Sequence, residues 1–266
     1  MFDYHVHSNF SSDSKMSMEE AIISAISKGI KEIAFTDHVD LLYPPVSYTI
    51  IEIDYDKYVD IFSQLKEKYK DDISIKLGVE VGIQPHSITK SKELIDKYPF
   101  DFIIASTHAV EFKDLCEGDF FVNKSKDEAY RIYFEDILNI VNNFNDFCVY
   151  GHLDIVKRYG NYEDKSLDVV KYIDIIDEIF KKIIEKEKGI EINTSGFRYN
   201  LNSTHPQIDI IKRYKELGGE IITLGSDSHF KEHIGYKFDY VLDLLKSLGF
   251  RYITRFDKRI PIYEKI

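Results

Sequence analysis

Nine side chains able to bind metal ions follow short β-like runs in this chain of 266 residues. They stand in the segments HVHS, SSDS, FTDH, LGVE, ASTH, YGHLD and LGSDSH. The nine are His5, His7, Asp13, His38, Glu80, His108, His152, Asp227 and His229. Imidazole and carboxylate groups together suit zinc, manganese or iron. Because one catalytic zinc ion takes three or four protein ligands, the set predicts more than one ion and a multinuclear hydrolase.

Any one of these motifs is a weak signal. The pair in HVH lies on one face of a strand, because alternate strand residues point the same way, but such pairs also occur in cores and on surfaces. Recurrence after successive strand-like runs is the stronger observation, since isolated structural histidines would show no such preference. Structural roles are expected for the remaining three histidines, which are His86, His205 and His233.

The elements that must position these residues alternate between short apolar runs and longer amphipathic segments. This alternation predicts βα units around a mainly parallel sheet. Strands are predicted at residues 2–7, 31–36, 73–80, 100–106, 147–152, 189–195 and 220–225, with a further short strand at 250–256. Helices are predicted at residues 18–28, 54–69, 87–97, 126–143, 167–187, 206–217 and 236–248.

The positions of the candidate ligands favour a closed α/β barrel. In a barrel the carboxyl ends of all strands converge on one face, whereas an open doubly wound sheet spreads them along a crevice. The length and uniform composition indicate one domain over residues 1–266. The loops at residues 39–53 and 109–124 are long and are expected to shape the site.

The composition limits the kinds of molecule that this protein is expected to bind. The formal net charge is −11, from 46 acidic and 35 basic residues, which argues against a nucleic-acid partner. The two cysteines, Cys116 and Cys148, form no CxxC pair, and no signal segment or long apolar run is present. These features predict a cytoplasmic protein that acts on small molecules and is not bound to membranes; they leave the oligomeric state open.

The motifs HVHS, TDH, GVE, STH, GHLD and GSDSH occur in the order typical of the PHP family of metal-dependent phosphoesterases, which the chain resembles over residues 2–229. The segments GHLDIVKR and INTSGFR, with the overall length, resemble the histidinol-phosphate phosphatase branch. The resemblance implies a distorted seven-stranded TIM-like barrel, (β/α)7, with three divalent metal ions. It also implies hydrolysis of L-histidinol phosphate to L-histidinol and phosphate in histidine biosynthesis.

The resemblance further implies how the ligands are shared among the ions. One ion would be held by His5, His7, Glu80 and Asp227. Glu80 would bridge to a second ion held by His108 and His152. The third would be held by Asp13, His38 and His229. Many relatives carry histidine where this chain has Asp13. Aspartate is a competent hard ligand, so this difference shifts the metal preference slightly toward iron or manganese without removing the third site.

The expected chemistry needs no protein nucleophile. A water that bridges two cations loses its proton near neutral pH and can attack phosphorus, so Glu80 is catalytic as the bridging carboxylate. Arg158 and Arg198 stand at positions that the resemblance associates with phosphate binding, and a guanidinium group can grip phosphate through two hydrogen bonds.

Contacts to the rest of the substrate are expected from the rim loops. An ammonium and an imidazole group require acidic, polar or aromatic partners. The candidates are Tyr43, Glu111, Asp119 and Phe120. Asp37 and Asp154 are candidates for orienting neighbouring histidines.

Other functions remain open at this stage. A PHP-type exonuclease or a phosphotyrosine-protein phosphatase would use similar chemistry, although the acidic charge disfavours the exonuclease. An amidohydrolase also begins with HxH on its first barrel strand, but its bridging lysine is missing, and Glu80 offers the bridge instead. A non-catalytic metal-binding protein would have no need for the two arginines.

Overall fold

The computed structural model describes residues 1–50 and 52–266. Seven parallel strands follow one another around the sheet in chain order. They are β1 (Phe2–Val6), β2 (Glu32–Phe35), β3 (Ser74–Gly82), β4 (Phe102–Ser106), β5 (Val149–Tyr150), β6 (Gly189–Asn193) and β7 (Ile222–Gly225). A parallel bridge between Val6 and Ser228 brings the first strand beside the end of the last one. The sheet is thus a nearly closed barrel, which confirms the predicted seven-stranded α/β fold.

Seven helices that cover the outside of the barrel agree with the predicted segments to within six residues, and one short helix after β5 was not predicted. They are α1 (Met18–Ser27), α2 (Tyr55–Lys68), α3 (Ile88–Lys97), α4 (Lys126–Asn143), α5 (Val156–Tyr159), α6 (Ile173–Glu185), α7 (Ile208–Glu216) and α8 (Phe238–Ser247). Ser17 and Glu20 form a capping box at the start of α1, in which each residue satisfies a backbone N–H of the other. None of the helices in residues 1–50 and 52–266 is both long and apolar enough to cross a bilayer.

The strands are apolar because helices cover one side of the sheet and packed side chains fill the other. All residues of β2, β4, β6 and β7 are buried. A polar residue within these strands must therefore find a partner inside the protein. This requirement directs attention to the carboxylates that interrupt the apolar runs.

The regions after strands β2 and β4 contain further structure that the sequence pattern did not predict. The two-residue strand His38–Val39 pairs in parallel with β3, which sets His38 beside Glu80. The loop after β4 forms a small hairpin between Ala109–Val110 and Lys113–Asp114, followed by a 3-10 helix. These additions all lie at the carboxyl ends of the strands.

The predicted strand at residues 250–256 does not join the barrel. Instead β8 (Tyr252–Asp257) pairs antiparallel with β9 (Ile260–Lys265), and this hairpin covers the amino ends of the barrel strands. Phe256 is buried there, with its ring centroid 5.2 Å from that of Phe102. Its backbone N–H donates to the Tyr4 hydroxyl over 2.8 Å. The barrel is therefore closed at the end opposite the candidate ligands.

Candidate metal centre

The first strand and the end of the last strand bring three predicted ligands, His5, His7 and Asp227, together around the carboxylate of Glu80. Its Oε2 lies 3.2 Å from His5 Nε2 and 3.5 Å from His7 Nε2. His7 Nε2 is also 3.5 Å from Asp227 Oδ1. All four side chains are buried. Ligands about 2 Å from a tetrahedral ion are about 3.3 Å from one another, so these spacings suit a metal ion.

The other oxygen of Glu80 faces the ends of β4 and β5. Glu80 Oε1 is 2.7 Å from His152 Nε2 and 3.2 Å from His108 Nε2. It also accepts a hydrogen bond of 2.7 Å from Ser106 Oγ. The two carboxylate oxygens thus point to two separate groups of histidines, which is the arrangement required of a bridging ligand.

A third group completes the cluster on the side of β2. Asp13 Oδ2 lies 2.9 Å from His229 Nε2 and 3.5 Å from His38 Nε2. The ring of His229 stacks on that of His7, with centroids 4.2 Å apart. Asp13 is the most exposed of the nine residues, with 53% of its side chain accessible. All nine predicted side chains therefore lie in one connected cluster.

Several atoms of the cluster are close without being hydrogen-bonded. Glu80 Oε2, His38 Nδ1 and His229 Nε2 are buried and find no hydrogen-bond partner in the described part of the chain. Yet His38 Nδ1 is only 2.9 Å from Glu80 Oε2. Buried polar atoms without partners are costly, and a cation placed between such donors would satisfy them. The residues present therefore fit metal ions.

The electrostatics of the cluster favour cations. Burial opposes a charge on His108, but Glu80 and Asp40 outweigh it and raise the pKa of His108 to about 10. Burial likewise opposes ionisation of Glu80 and Asp227, yet the surrounding histidines hold the pKa of both carboxyls well below the usual range. By contrast, burial and the neighbouring histidines lower the pKa of His7 to about 3. The carboxylates are thus ionised and able to bind divalent ions.

Two carboxylates that the sequence did not reveal contact the Nδ1 atoms of candidate ligands, on the side of each ring away from Glu80. Glu191 Oε1 lies 2.5 Å from His5 Nδ1, and Asp40 Oδ1 lies 3.0 Å from His108 Nδ1. Carboxylates in this position fix the ring orientation and increase the basicity of the ligand. The available signal for Glu191 was a charged residue within the apolar run GIEIN of β6.

The two aspartates expected to orient histidines behave differently. Asp37 acts through a hydroxyl, since it accepts a hydrogen bond of 2.6 Å from Ser11 Oγ, which lies 3.3 Å from His7 Nδ1. Asp154 contacts a histidine outside the cluster, since its Oδ1 lies 2.6 Å from Nδ1 of His205.

A cavity of about 280 Å³ opens above the cluster. One wall carries Asp40, Tyr43, Tyr48 and Asp114, and Arg158 lies in the same lining. The hydroxyls of Tyr43 and Tyr48 both donate to Asp114 Oδ2, over 2.6 Å and 2.8 Å. The cavity therefore combines an acidic, aromatic wall with one cationic group near the candidate metal ligands.

The three other rim candidates lie outside this lining. Glu111 is exposed and pairs with Lys124 over 2.9 Å. Asp119 begins the 3-10 helix Asp119–Phe121 and is exposed, whereas Phe120 is fully buried in the hydrophobic core. The turn of this short helix directs Phe120 inward, so the structure does not place these three residues against a ligand in the cavity.

The two predicted arginines occupy different environments. The guanidinium group of Arg158 lies 3.2 Å from the ring centroid of Tyr199. Arg198 points to the end of β7, where its two terminal nitrogens donate to the backbone oxygens of Ser226 and Asp227 over 2.8 Å and 2.7 Å. Both arginines line a second cavity of about 450 Å³ that shares Asp227 with the first.

Histidine and carboxylate ligands at the strand ends of an α/β barrel, below a cavity with a guanidinium group, define the protein as a metal-dependent hydrolase. The PHP domain family matches residues 3–195, and the chain belongs to the PHP family.

Several relatives match nearly the whole chain. The histidinol-phosphatase of Lactococcus lactis subsp. lactis is 36% identical over 255 residues, which cover 96% of this chain and 93% of the relative. The probable histidinol-phosphatase of Clostridium acetobutylicum is 35% identical over 264 residues, covering 99% of each. A crystal structure of histidinol phosphate phosphatase from L. lactis, complexed with zinc, L-histidinol and phosphate, matches with a TM-score of 0.90 and 35% identity over 98% of each chain.

Proposed function

We propose that this protein hydrolyses L-histidinol phosphate to L-histidinol and phosphate. The observation that carries the proposal is the cluster around Glu80 beneath a cavity with an acidic wall and an arginine. The cluster stands in a chain similar over its full length to a histidinol phosphate phosphatase whose crystal structure contains zinc, L-histidinol and phosphate.

We assign the nine clustered side chains to three ions as the family resemblance implies, with Glu80 as the bridge between two of them. Two of the proposed groups each contain three ligands whose atoms all lie within 4.8 Å of one another. These ligands are His5, His7 and Glu80 in one group, and Glu80, His108 and His152 in the other. Zinc is supported by the related L. lactis structure, and manganese or iron would also suit this mixture of ligands.

The ions would supply Lewis-acid stabilisation of the phosphate and a water acidic enough to attack phosphorus near neutral pH. The chain's own residues orient the substrate. Arg158 has no carboxylate within 4.0 Å among the described residues, so its N–H groups are available for phosphate oxygens. Arg198 holds the backbone on both sides of the Ser226–Asp227 peptide and thereby fixes the ligand Asp227. We assign protonation of the leaving alkoxide to solvent.

The acidic wall suits the cationic end of the substrate. Histidinol carries an ammonium group and an imidazole ring, and both gain from a nearby carboxylate and aromatic faces. Asp114 is held in place by two tyrosine hydroxyls, while Asp40 lies on the same side of the cavity. We therefore place the phosphate at Arg158 and the ammonium group at the acidic wall.

The alternatives fit these features less well. An exonuclease would need a basic groove for a strand, whereas this cavity has an acidic wall in a protein of net charge −11. A phosphotyrosine-protein phosphatase would have to admit a peptide, and about 280 Å³ suits a small ester better. An amidohydrolase would need the missing lysine, and a structural metal store would lack the open cavity above its ligands.

We further propose that the reaction takes place in the cytoplasm as a step of histidine biosynthesis. Both cysteines are free, Cys116 at the surface and Cys148 in the interior. Unpaired cysteines are typical of proteins that work in a reducing compartment.

A test of the proposed function compares hydrolysis of four substrates, by phosphate release from the three monoesters and by nucleotide release from the DNA. These are histidinol phosphate, p-nitrophenyl phosphate, a phosphotyrosine peptide and single-stranded DNA. Hydrolysis of histidinol phosphate is expected to dominate, to disappear after dialysis against a chelator and to return with zinc. A kcat/KM for any of the other three that equals or exceeds the value for histidinol phosphate would contradict the substrate assignment.

A further inference from the structure

Glu191 stands in the middle of β6 with its carboxylate inside the barrel, directly below the metal cluster. Its side chain is 1% accessible. One oxygen lies 2.5 Å from His5 Nδ1. The other accepts a hydrogen bond of 2.8 Å from the backbone N–H of His152 and one of 3.1 Å from Asn193 Nδ2. A single carboxylate thus joins β6 to the candidate ligands of β1 and β5.

The neighbouring strand β7 leaves room for this carboxylate. A Cβ atom added to Gly225 would lie 1.9 Å from Glu191 Oε1. Gly225 ends β7 and stands two residues before the candidate ligand Asp227. Any side chain at Gly225 would collide with Glu191. A glycine at position 225 is therefore required for the Glu191 carboxylate to occupy this position.

We propose that Glu191 is a positioning residue for metal binding, which sets the ring of His5 and the backbone of His152 at once. This inference rests on the metal site assigned above. His5 can bind an ion through Nε2 only when its proton is on Nδ1, and a carboxylate at Nδ1 favours that tautomer. His152 has a backbone φ of 21°, an uncommon conformation for a residue other than glycine, and its N–H is held by the same carboxylate.

Glutamine at this position cannot keep both contacts, because the oxygen of its side-chain amide only accepts hydrogen bonds and the NH₂ group only donates them. If the oxygen faces His152 N–H, the NH₂ group faces His5 Nδ1 and favours the wrong tautomer. If the amide is reversed, the NH₂ group faces the N–H of His152. We therefore expect Glu191→Gln to weaken zinc binding by about 10- to 100-fold, the range found when such partners are removed.

The experiment measures zinc affinity of the full-length protein by competition with a chromophoric chelator, beside the melting temperature without metal. Glu32→Gln is the matched control. Glu32 is an equally buried carboxylate with hydrogen bonds to a tyrosine and a serine, but it lies at the opposite end of the barrel. The control is expected to lower the melting temperature and to keep zinc affinity within about twofold of the unchanged protein.

Two outcomes would overturn the role of Glu191: zinc affinity unchanged in Glu191→Gln, or an equal loss of affinity in Glu32→Gln. If Glu191→Gln does not fold, Glu191→Asp keeps the charge but is too short to reach both partners, and the same loss of affinity is expected. Nitrogen chemical shifts of the zinc-loaded protein should show a proton on His5 Nδ1, and a proton on Nε2 would also contradict the inference. Failure to hydrolyse histidinol phosphate would refute the proposed function while leaving this zinc measurement intact.

Discussion

Replacing Arg198 by methionine tests whether this arginine holds the end of β7 as well as facing the substrate. Methionine has a similar length but cannot donate to the oxygens of Ser226 and Asp227, which Arg198 contacts over 2.8 Å and 2.7 Å. Hydrogen bonds to a charged group contribute about 1.5–3 kcal/mol each. Because the site is only partly buried and water can replace part of the loss, we expect a destabilisation of about 3 kcal/mol. For a chain of this size that lowers Tm by about 6–12 °C.

The same change should release metal. Asp227 has a φ of 53°, a left-handed conformation that costs of order 1–3 kcal/mol and persists only while its surroundings enforce it. Without Arg198 the backbone can relax and carry the Asp227 carboxylate away from His7. Zinc retained after gel filtration, measured by mass spectrometry of the metal, should therefore fall together with Tm.

Arg158→Met is the matched control for this experiment. The Arg158 guanidinium rests on the ring of Tyr199, a contact worth about 0.5–1 kcal/mol at an exposed site. Its loss should reduce kcat/KM for histidinol phosphate but should leave zinc content unchanged and Tm within about 4 °C. If Arg198→Met retained all its zinc and melted within about 2 °C of Arg158→Met, the role of Arg198 in holding β7 would be refuted.

Three further changes have distinct expected results. Burial and the Glu111 carboxylate raise the pKa of Asp136 to about 6, above the ordinary 3.8, so the folded protein loses stability as pH rises through about 4–6. Asp136→Asn should therefore raise Tm at pH 8 by the equivalent of about 1–3 kcal/mol and have little effect at pH 4. Equal shifts in Tm at both pH values would contradict this. Phe256→Ala should cost about 3–5 kcal/mol in urea denaturation, because its ring is buried against Tyr4 and Phe102, and a cost below about 1 kcal/mol would mean the hairpin does not pack there. Asp114→Asn should raise KM for histidinol phosphate by about 10-fold or more without changing KM for p-nitrophenyl phosphate, which lacks an ammonium group, and a parallel rise for both esters would argue against the acidic wall as the ammonium site.

The barrel and the convergence of the ligands could be predicted because both depend on local patterns. Apolar runs that end in a histidine or a carboxylate mark a strand and its carboxyl end together, as YGH does for β5 and LGSD for β7. Parallel strands then bring residues as distant as His5 and Asp227 into contact without further information. Closure of the barrel, shown by the bridge between Val6 and Ser228, agrees with this reasoning.

What could not be predicted depends on contacts between distant segments. Glu191 is 186 residues from His5, and nothing in the spacing of GIEIN indicates which side of β6 faces a ligand ring. Phe120 stands in a loop rich in acidic residues, yet a short helical turn directs it into the core. The strand at Tyr252–Asp257 contains buried apolar residues. Only a two-residue turn separates it from β9, so it forms an antiparallel hairpin instead of joining the parallel barrel.

The closure of the barrel between its first and last strands also determines when the site can exist during folding. Asp227 is synthesised more than two hundred residues after His5 and His7. Pairing across such a separation is slow, because the loop must close before the contact can stabilise it. An ion held by these residues as proposed could therefore bind only after nearly the whole barrel has assembled. The rate of zinc uptake during refolding would therefore report the rate of the last step of folding.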